Sequence, residues 1–111
     1  MDVFTRVSGI GNPGPYSLFL QDEDGNQIAE FKASFCTSNV AEYLAIVCGI
    51  KYLYSLNKSG VVKSKNINAL KWIEEGCANT SVRSDSLARA EAWMDGTIWW
   101  EKISIGKYSI S

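Results

Sequence analysis

The 111 residues of this chain include carboxylates and thiols but no histidine. That absence removes the commonest general base near neutral pH and the commonest zinc ligand together. Cys36, Cys48 and Cys77 are odd in number, widely spaced and form no C-x-x-C pair, so they read as reduced structural thiols. Carboxylates remain, and several that converge can hold hard cations such as magnesium. Asp22, Glu23 and Asp24 crowd one turn and Asp2 opens a strand, which places them poorly for convergence. Trp72, Trp93, Trp99 and Trp100 could stack on nucleic-acid bases. Three of them fall where a helix or strand would turn inward, which favours core packing. Trp99 and Trp100 are read as neighbours in a strand, so they point opposite ways and an exposed one could mark a partner surface.

The elements that must position these groups follow from the chain's periodicities. Val3 to Val7 is short and β-prone, and Gly9 to Pro15 packs three glycines and two prolines into a tight loop. Tyr16–Leu20 and Gln27–Phe31 flank Asp22-Glu23-Asp24-Gly25-Asn26, a strong hairpin signal, so the first three strands form an antiparallel meander. A helix capped by Ser38 or Asn39 runs to about Leu56 and is apolar around most of its circumference, as expected of a helix buried on more than one side. Asn57-Lys58-Ser59-Gly60 ends it, with Gly60 as the stop. Val61 and Val62 begin a buried strand. Asn66 caps a helix that Gly76 terminates, Asp85 to Met94 is helical, and Thr97 to Ile103 reads as a last strand. The order is βββαβααβ, an α/β domain with a mixed sheet and helices on its faces.

Length allows one domain, residues 1–111, with a single core. A 46% hydrophobic and 21% charged composition fits a soluble globular protein, and the net charge of −1 argues against strong general binding to phosphate backbones. The start carries no signal-peptide pattern, and no apolar run approaches the roughly 20 residues that span a bilayer. The expectation is a cytoplasmic protein without a membrane partner.

Three motifs resemble one family. Phe4-Thr5-Arg6-Val7-Ser8-Gly9-Ile10-Gly11-Asn12-Pro13-Gly14-Pro15 is similar to the first strand and loop of ribonuclease HI, where the pattern is Y-T-D-G-S-x-x-G-N-P-G-P. Thr37-Ser38-Asn39-Val40-Ala41-Glu42-Tyr43-Leu44-Ala45 resembles that family's T-N-N-x-A-E-Y-L-A. Ser64-Lys65-Asn66-Ile67-Asn68-Ala69-Leu70-Lys71-Trp72-Ile73 resembles S-D-S-x-x-A-I-x-W-V of some bacterial members, and Ala78 to Trp93 resembles those members as well. Each motif alone is weak, whereas three in order within a matching pattern are specific. The resemblance implies a ribonuclease H-like fold: a five-stranded mixed sheet, three antiparallel strands then two parallel, flanked by helices, here with the C-terminal helix missing.

Such enzymes cut the RNA strand of RNA–DNA hybrids with two magnesium ions held by an Asp-Glu-Asp-Asp set. Carried over by position, the first acid falls on Arg6, the second on Glu42, the third on Lys65, and the fourth at or near Ser111. Only Glu42 is retained. Like charges about 4 Å apart repel by roughly 4 kcal/mol at an effective dielectric near 20, so Arg6 and Lys65 oppose a divalent cation. The resemblance therefore implies a domain that has lost cleavage, with no cofactor expected and no metal-binding residues. Arg6, Glu42 and Lys65 are expected to form an ion cluster that keeps Glu42 ionised and favours an anion, or else to be three solvated charges on an unused cleft.

Family members contact the minor groove and RNA 2′-hydroxyls near positions matching Gly11, Asn12, Ser38 and Asn39. Turn and capping roles explain Asn12 and Asn39 more simply than substrate binding does. The family's basic protrusion is absent, since Cys77 to Ser84 carries only Arg83. The leading expectation is weak binding of an RNA–DNA hybrid, another nucleic acid or an anion. Two alternatives stay open: an active, magnesium-dependent ribonuclease H, and a structural module that forms a homodimer.

Overall fold

The computed structural model describes residues 1–108. Strands β1 (Asp2–Gly9), β2 (Gly14–Gln21) and β3 (Gln27–Cys36) form the antiparallel meander. Helix α1 (Ser38–Ser55) crosses the sheet and β4 (Gly60–Ser64) returns parallel to β1. Helices α2 (Ile67–Glu75) and α3 (Asp85–Asp95) follow, and β5 (Ile103–Lys107) pairs parallel with β4. The strand order is β3-β2-β1-β4-β5, the expected mixed α/β architecture with three antiparallel strands and then two parallel ones. The expected absence of a C-terminal helix concerns residues beyond Tyr108, outside those described.

Alternation along the strands divides the sheet into two faces. Val3, Leu18, Leu20, Val62 and Ile103 turn toward the helices and are buried there. Phe4, Arg6, Phe19 and Lys63 lie at the opposite parity and stay partly or fully exposed. Helix α1 has buried residues on every side, from Val40 and Ala41 to Ile50 and Leu53, because the sheet covers one flank and α2 and α3 cover the others. Gly49 lets it sit close: a Cβ there would lie 2.8 Å from a Val62 methyl.

The hairpin between β2 and β3 closes as its sequence dictates. Gly25 takes φ 85°, and Asp22 Oδ1 accepts from the backbone N–H groups of Asp24 and Asn26. Asn66 caps α2 by accepting from the N–H of Ala69 at 2.9 Å, and Gly76 ends that helix in the left-handed conformation.

Three local expectations are corrected. Thr37, not Ser38 or Asn39, caps α1, its hydroxyl accepting from Val40 N–H at 3.3 Å. Asn57, not Gly60, stops that helix: it takes φ 54°, while Lys58 N–H reaches back to the Leu53 carbonyl and Asn57 N–H to that of Tyr54. Gly60 instead opens β4. The last strand is Ile103–Lys107 rather than Thr97 to Ile103, and Trp99–Glu101 forms a short 3-10 turn. The Thr97 hydroxyl donates to the Trp93 carbonyl and prolongs the end of α3 into this turn. Trp99 then packs on the core, as Trp72 and Trp93 also do, whereas Trp100 is 60% exposed. The cysteines are unpaired, with Cys36 buried and Cys77 on the surface.

Candidate functional site

The site lies between the middle of β1 and the carboxyl end of β4, where Glu42 enters from the start of α1. The ladder between these strands runs only from Asp2/Val61 to Phe4/Lys63. Beyond it the space is filled by polar side chains. Thr5, fully buried, donates its hydroxyl to the Lys63 carbonyl at 3.1 Å. Tyr108 bridges both strands: its N–H donates to the Ser64 carbonyl at 3.1 Å, and its phenol donates to the Thr5 carbonyl at 2.5 Å. Its ring sits edge-on to Phe4 with centroids 5.1 Å apart.

Glu42 enters this space from α1 and is only 8% exposed. Its Oε2 accepts from the hydroxyl of Ser64, itself fully buried, at 3.1 Å. The same Ser64 oxygen accepts from the N–H of Asn66, linking Glu42 to the cap of α2. Burial pushes the Glu42 carboxyl above the ordinary carboxylate range, while the Ser64 hydrogen bond and the charge of Lys65 pull it down by less. Tyr108 is likewise pushed up, first by burial and then by Glu42, against a smaller opposing effect of Arg6.

The expected ion cluster is not formed among the described residues. Lys65 and Arg6 are exposed, and both act electrostatically at this end of the sheet. Among the described residues the ion pairs are Lys63 with Asp2 and Arg83 with Glu91, and none joins Glu42 to either cation. The guanidinium of Arg6 lies 5.1 Å from the ring centre of Phe19, its cross-strand neighbour on the face away from α1. Nor do flanking cations lower the Glu42 carboxyl below its ordinary value as expected, because desolvation outweighs the pull of Lys65.

Gly11, Asn12, Ser38 and Asn39 do come together. Asn12 Oδ1 accepts from the Ser38 N–H at 3.0 Å, satisfying a free donor of the first helical turn across 26 residues of chain. Tyr16 donates its phenol to the Gly11 carbonyl. Asn39 accepts from the Asn66 side chain at 2.8 Å, tying the starts of α1 and α2 together. Ser111 lies outside the described residues. Thr5, Ser64, Asn66 and Tyr108 escaped sequence reasoning as site residues. Thr5 and Ser64 did leave a signal, as polar residues at the inward parity of Val3 and Val62, whereas nothing local marked Tyr108.

A carboxyl that titrates higher in the folded chain holds its proton more tightly there than when unfolded. Its contribution favours folding at acid pH and is lost as pH rises from the ordinary carboxylate range through the raised value. Glu42→Gln removes that dependence. Its unfolding free energy is expected to gain on the wild type as pH rises from about 4 to 8, read by urea melts at each pH. A difference independent of pH would contradict the assigned burial.

No protein-family model matches the chain, and no curated protein is similar enough in sequence to match. Solved structures do match. The N-terminal ribonuclease H domain of a Mycobacterium tuberculosis protein, solved as a fusion with maltose-binding protein, superposes with a TM-score of 0.60 at 17% identity, covering 100% of this chain and 88% of that one. Ribonuclease H1 of the halophilic archaeon Halobacterium salinarum gives 0.60 at 16%, covering 98% and 83%. A ribonuclease H1 isolated from compost by a metagenomic approach, in complex with an RNA/DNA hybrid, gives 0.59 at 22%, covering 96% and 83%. Among the described residues no helix is long and apolar enough to cross a membrane. With this strand order, these helices and these neighbours, the chain has the ribonuclease H-like fold.

Proposed function

We propose that this chain is a ribonuclease H-fold domain that no longer cuts RNA–DNA hybrids and acts by weak binding of a hybrid, another nucleic acid or an anion. The observation that carries the reading is the state of Glu42. It is the one acid kept at the three aligned positions within the described residues, it is buried, and its carboxylate is engaged by Ser64. Magnesium, the metal implied by the fold, needs several oxygen ligands in near-octahedral array. The donors beside Glu42 are hydroxyls already committed to backbone carbonyls or to Glu42 itself, and Arg6 and Lys65 stand where further acids would. Among the described residues no three acidic, cysteine or histidine side chains gather as ligands. This set does not fit a pair of magnesium ions.

Binding is supported by the neighbouring ribonuclease H1 solved with an RNA/DNA hybrid. It is supported also by the loop at Gly11 and Asn12, docked on the opening of α1, and by the exposure of the cations Arg6 and Lys65. The test is incubation of an end-labelled RNA–DNA hybrid with the protein in magnesium and in manganese, resolved on a denaturing gel. The RNA strand is expected to stay intact. Cleavage that disappears in Glu42→Gln would overturn the reading and establish an active nuclease.

A further inference from the structure

The strand β3 is an edge of the sheet: β2 satisfies one side of it, and among the described residues no strand pairs with the other. A ten-residue edge is a template for another strand unless something blunts it. Here irregularities in the β2/β3 register flank both ends of one regular stretch, in which Tyr16 to Leu20 face Ala33 to Ala29 without interruption. The middle of that stretch is Phe31, 42% exposed, with Glu30 and Lys32 exposed on either side. Directly across on β2 they meet Phe19 and Ser17, which offer no charge, and neither takes part in an ion pair among the described residues.

We infer that β3 pairs antiparallel with β3 of a second copy of this chain about a two-fold axis at Phe31, extending the sheet across two molecules. In a two-fold antiparallel pair, hydrogen-bonded and non-bonded positions alternate, so the axis must pass through a residue facing its own copy. Placing it at Phe31 sets Ala29 against the partner's Ala33, and Glu30 against the partner's Lys32, each pair occurring twice. The regular stretch is used completely, and every charge in it meets its opposite. Moving the axis by one residue sets Glu30 against the partner's Glu30, or Lys32 against the partner's Lys32. Like charges directly opposed across strands are unfavourable, so one register is selected. The same two residues that would protect an edge against unlike strands thereby fit it to its own copy. This edge is separated from the Glu42 site by β2 and β1, so its test is independent of the proposed binding function.

Sedimentation velocity or light scattering of the wild-type chain, from about 5 to 500 µM, is expected to show a concentration-dependent monomer–dimer equilibrium, since so small an interface gives modest affinity. Glu30→Lys and Lys32→Glu each convert two attractive pairs into two repulsive ones and are expected to weaken dimerisation by about tenfold or more. The double variant E30K/K32E restores both pairs with their signs exchanged and should recover the dimer, with circular dichroism confirming that all variants fold. A monomer throughout the range, a dimer indifferent to the single reversals, or a double variant that stays as weak as either single would each overturn the proposal.

Discussion

Tyr43→Ala is expected to lower the unfolding free energy by about 3–5 kcal/mol, within the range found for removing a large buried aromatic side chain. Tyr43 of α1 is 1% exposed. Its ring meets Trp72 of α2 edge-on, with centroids 6.3 Å apart. Ile73, Met94 and Trp99 line the space beside it, so α2, α3 and the turn before β5 all converge there. Burial, with the charges of Glu91 and Asp95 behind it, pushes the phenol up to about 12. The hydroxyl therefore stays neutral at any ordinary pH and the ring contributes mainly as apolar bulk. Tyr43→Phe keeps that bulk and should cost far less. A domain of this size commonly holds about 5–15 kcal/mol in all, so the alanine variant loses a large share of its stability. Urea midpoints of the three proteins check this; an alanine variant within about 1 kcal/mol of the wild type would mean that the helices can close over the gap.

The double variant Arg6→Ala/Lys65→Ala is expected to weaken binding of an RNA–DNA hybrid by about tenfold and to flatten the plot of log affinity against log salt by nearly 2. Both side chains are exposed, Arg6 in β1 on the face away from α1 and Lys65 directly after β4. The chain as a whole carries a net charge of −1, so attraction to phosphates must come from such local cations. Arg83, the one cation of the loop between α2 and α3, is engaged with Glu91 and with the Ala78 carbonyl. Removing Arg6 also removes its contact with the Phe19 ring, so a thermal melt must accompany the titration. Fluorescence anisotropy at several salt concentrations supplies the slope. A slope equal to that of the wild type would place the phosphate contacts elsewhere on the molecule.

Much of this molecule is determined locally. The alternation of Val3, Thr5 and Val7, the Asp22–Asn26 turn, the apolar girth of α1, and the caps at Asn66 and Gly76 each fix an element through residues close in sequence. Together they yield the strand and helix order, and the motifs at Gly11–Pro15 and Thr37–Ala45 yield the fold resemblance. Trp99 and Trp100 misled, because two adjacent aromatics satisfy a strand pattern and a 3-10 turn equally well; only the end of α3 and the core beneath decided between them. The site was legible in its aligned positions but not in its chemistry. Charge signs alone suggested that Arg6, Glu42 and Lys65 would neutralise one another. Tertiary structure set Arg6 on the far face of β1, and placed Glu42 in a pocket where the cost of desolvation exceeds the pull of Lys65. Its partner Ser64, at 22 residues' separation, and the neighbouring Tyr108–Thr5 bond, across 103, are brought in by parallel strand pairing. Contacts of that range leave no local periodicity in the sequence, which is why only the folded chain could decide them.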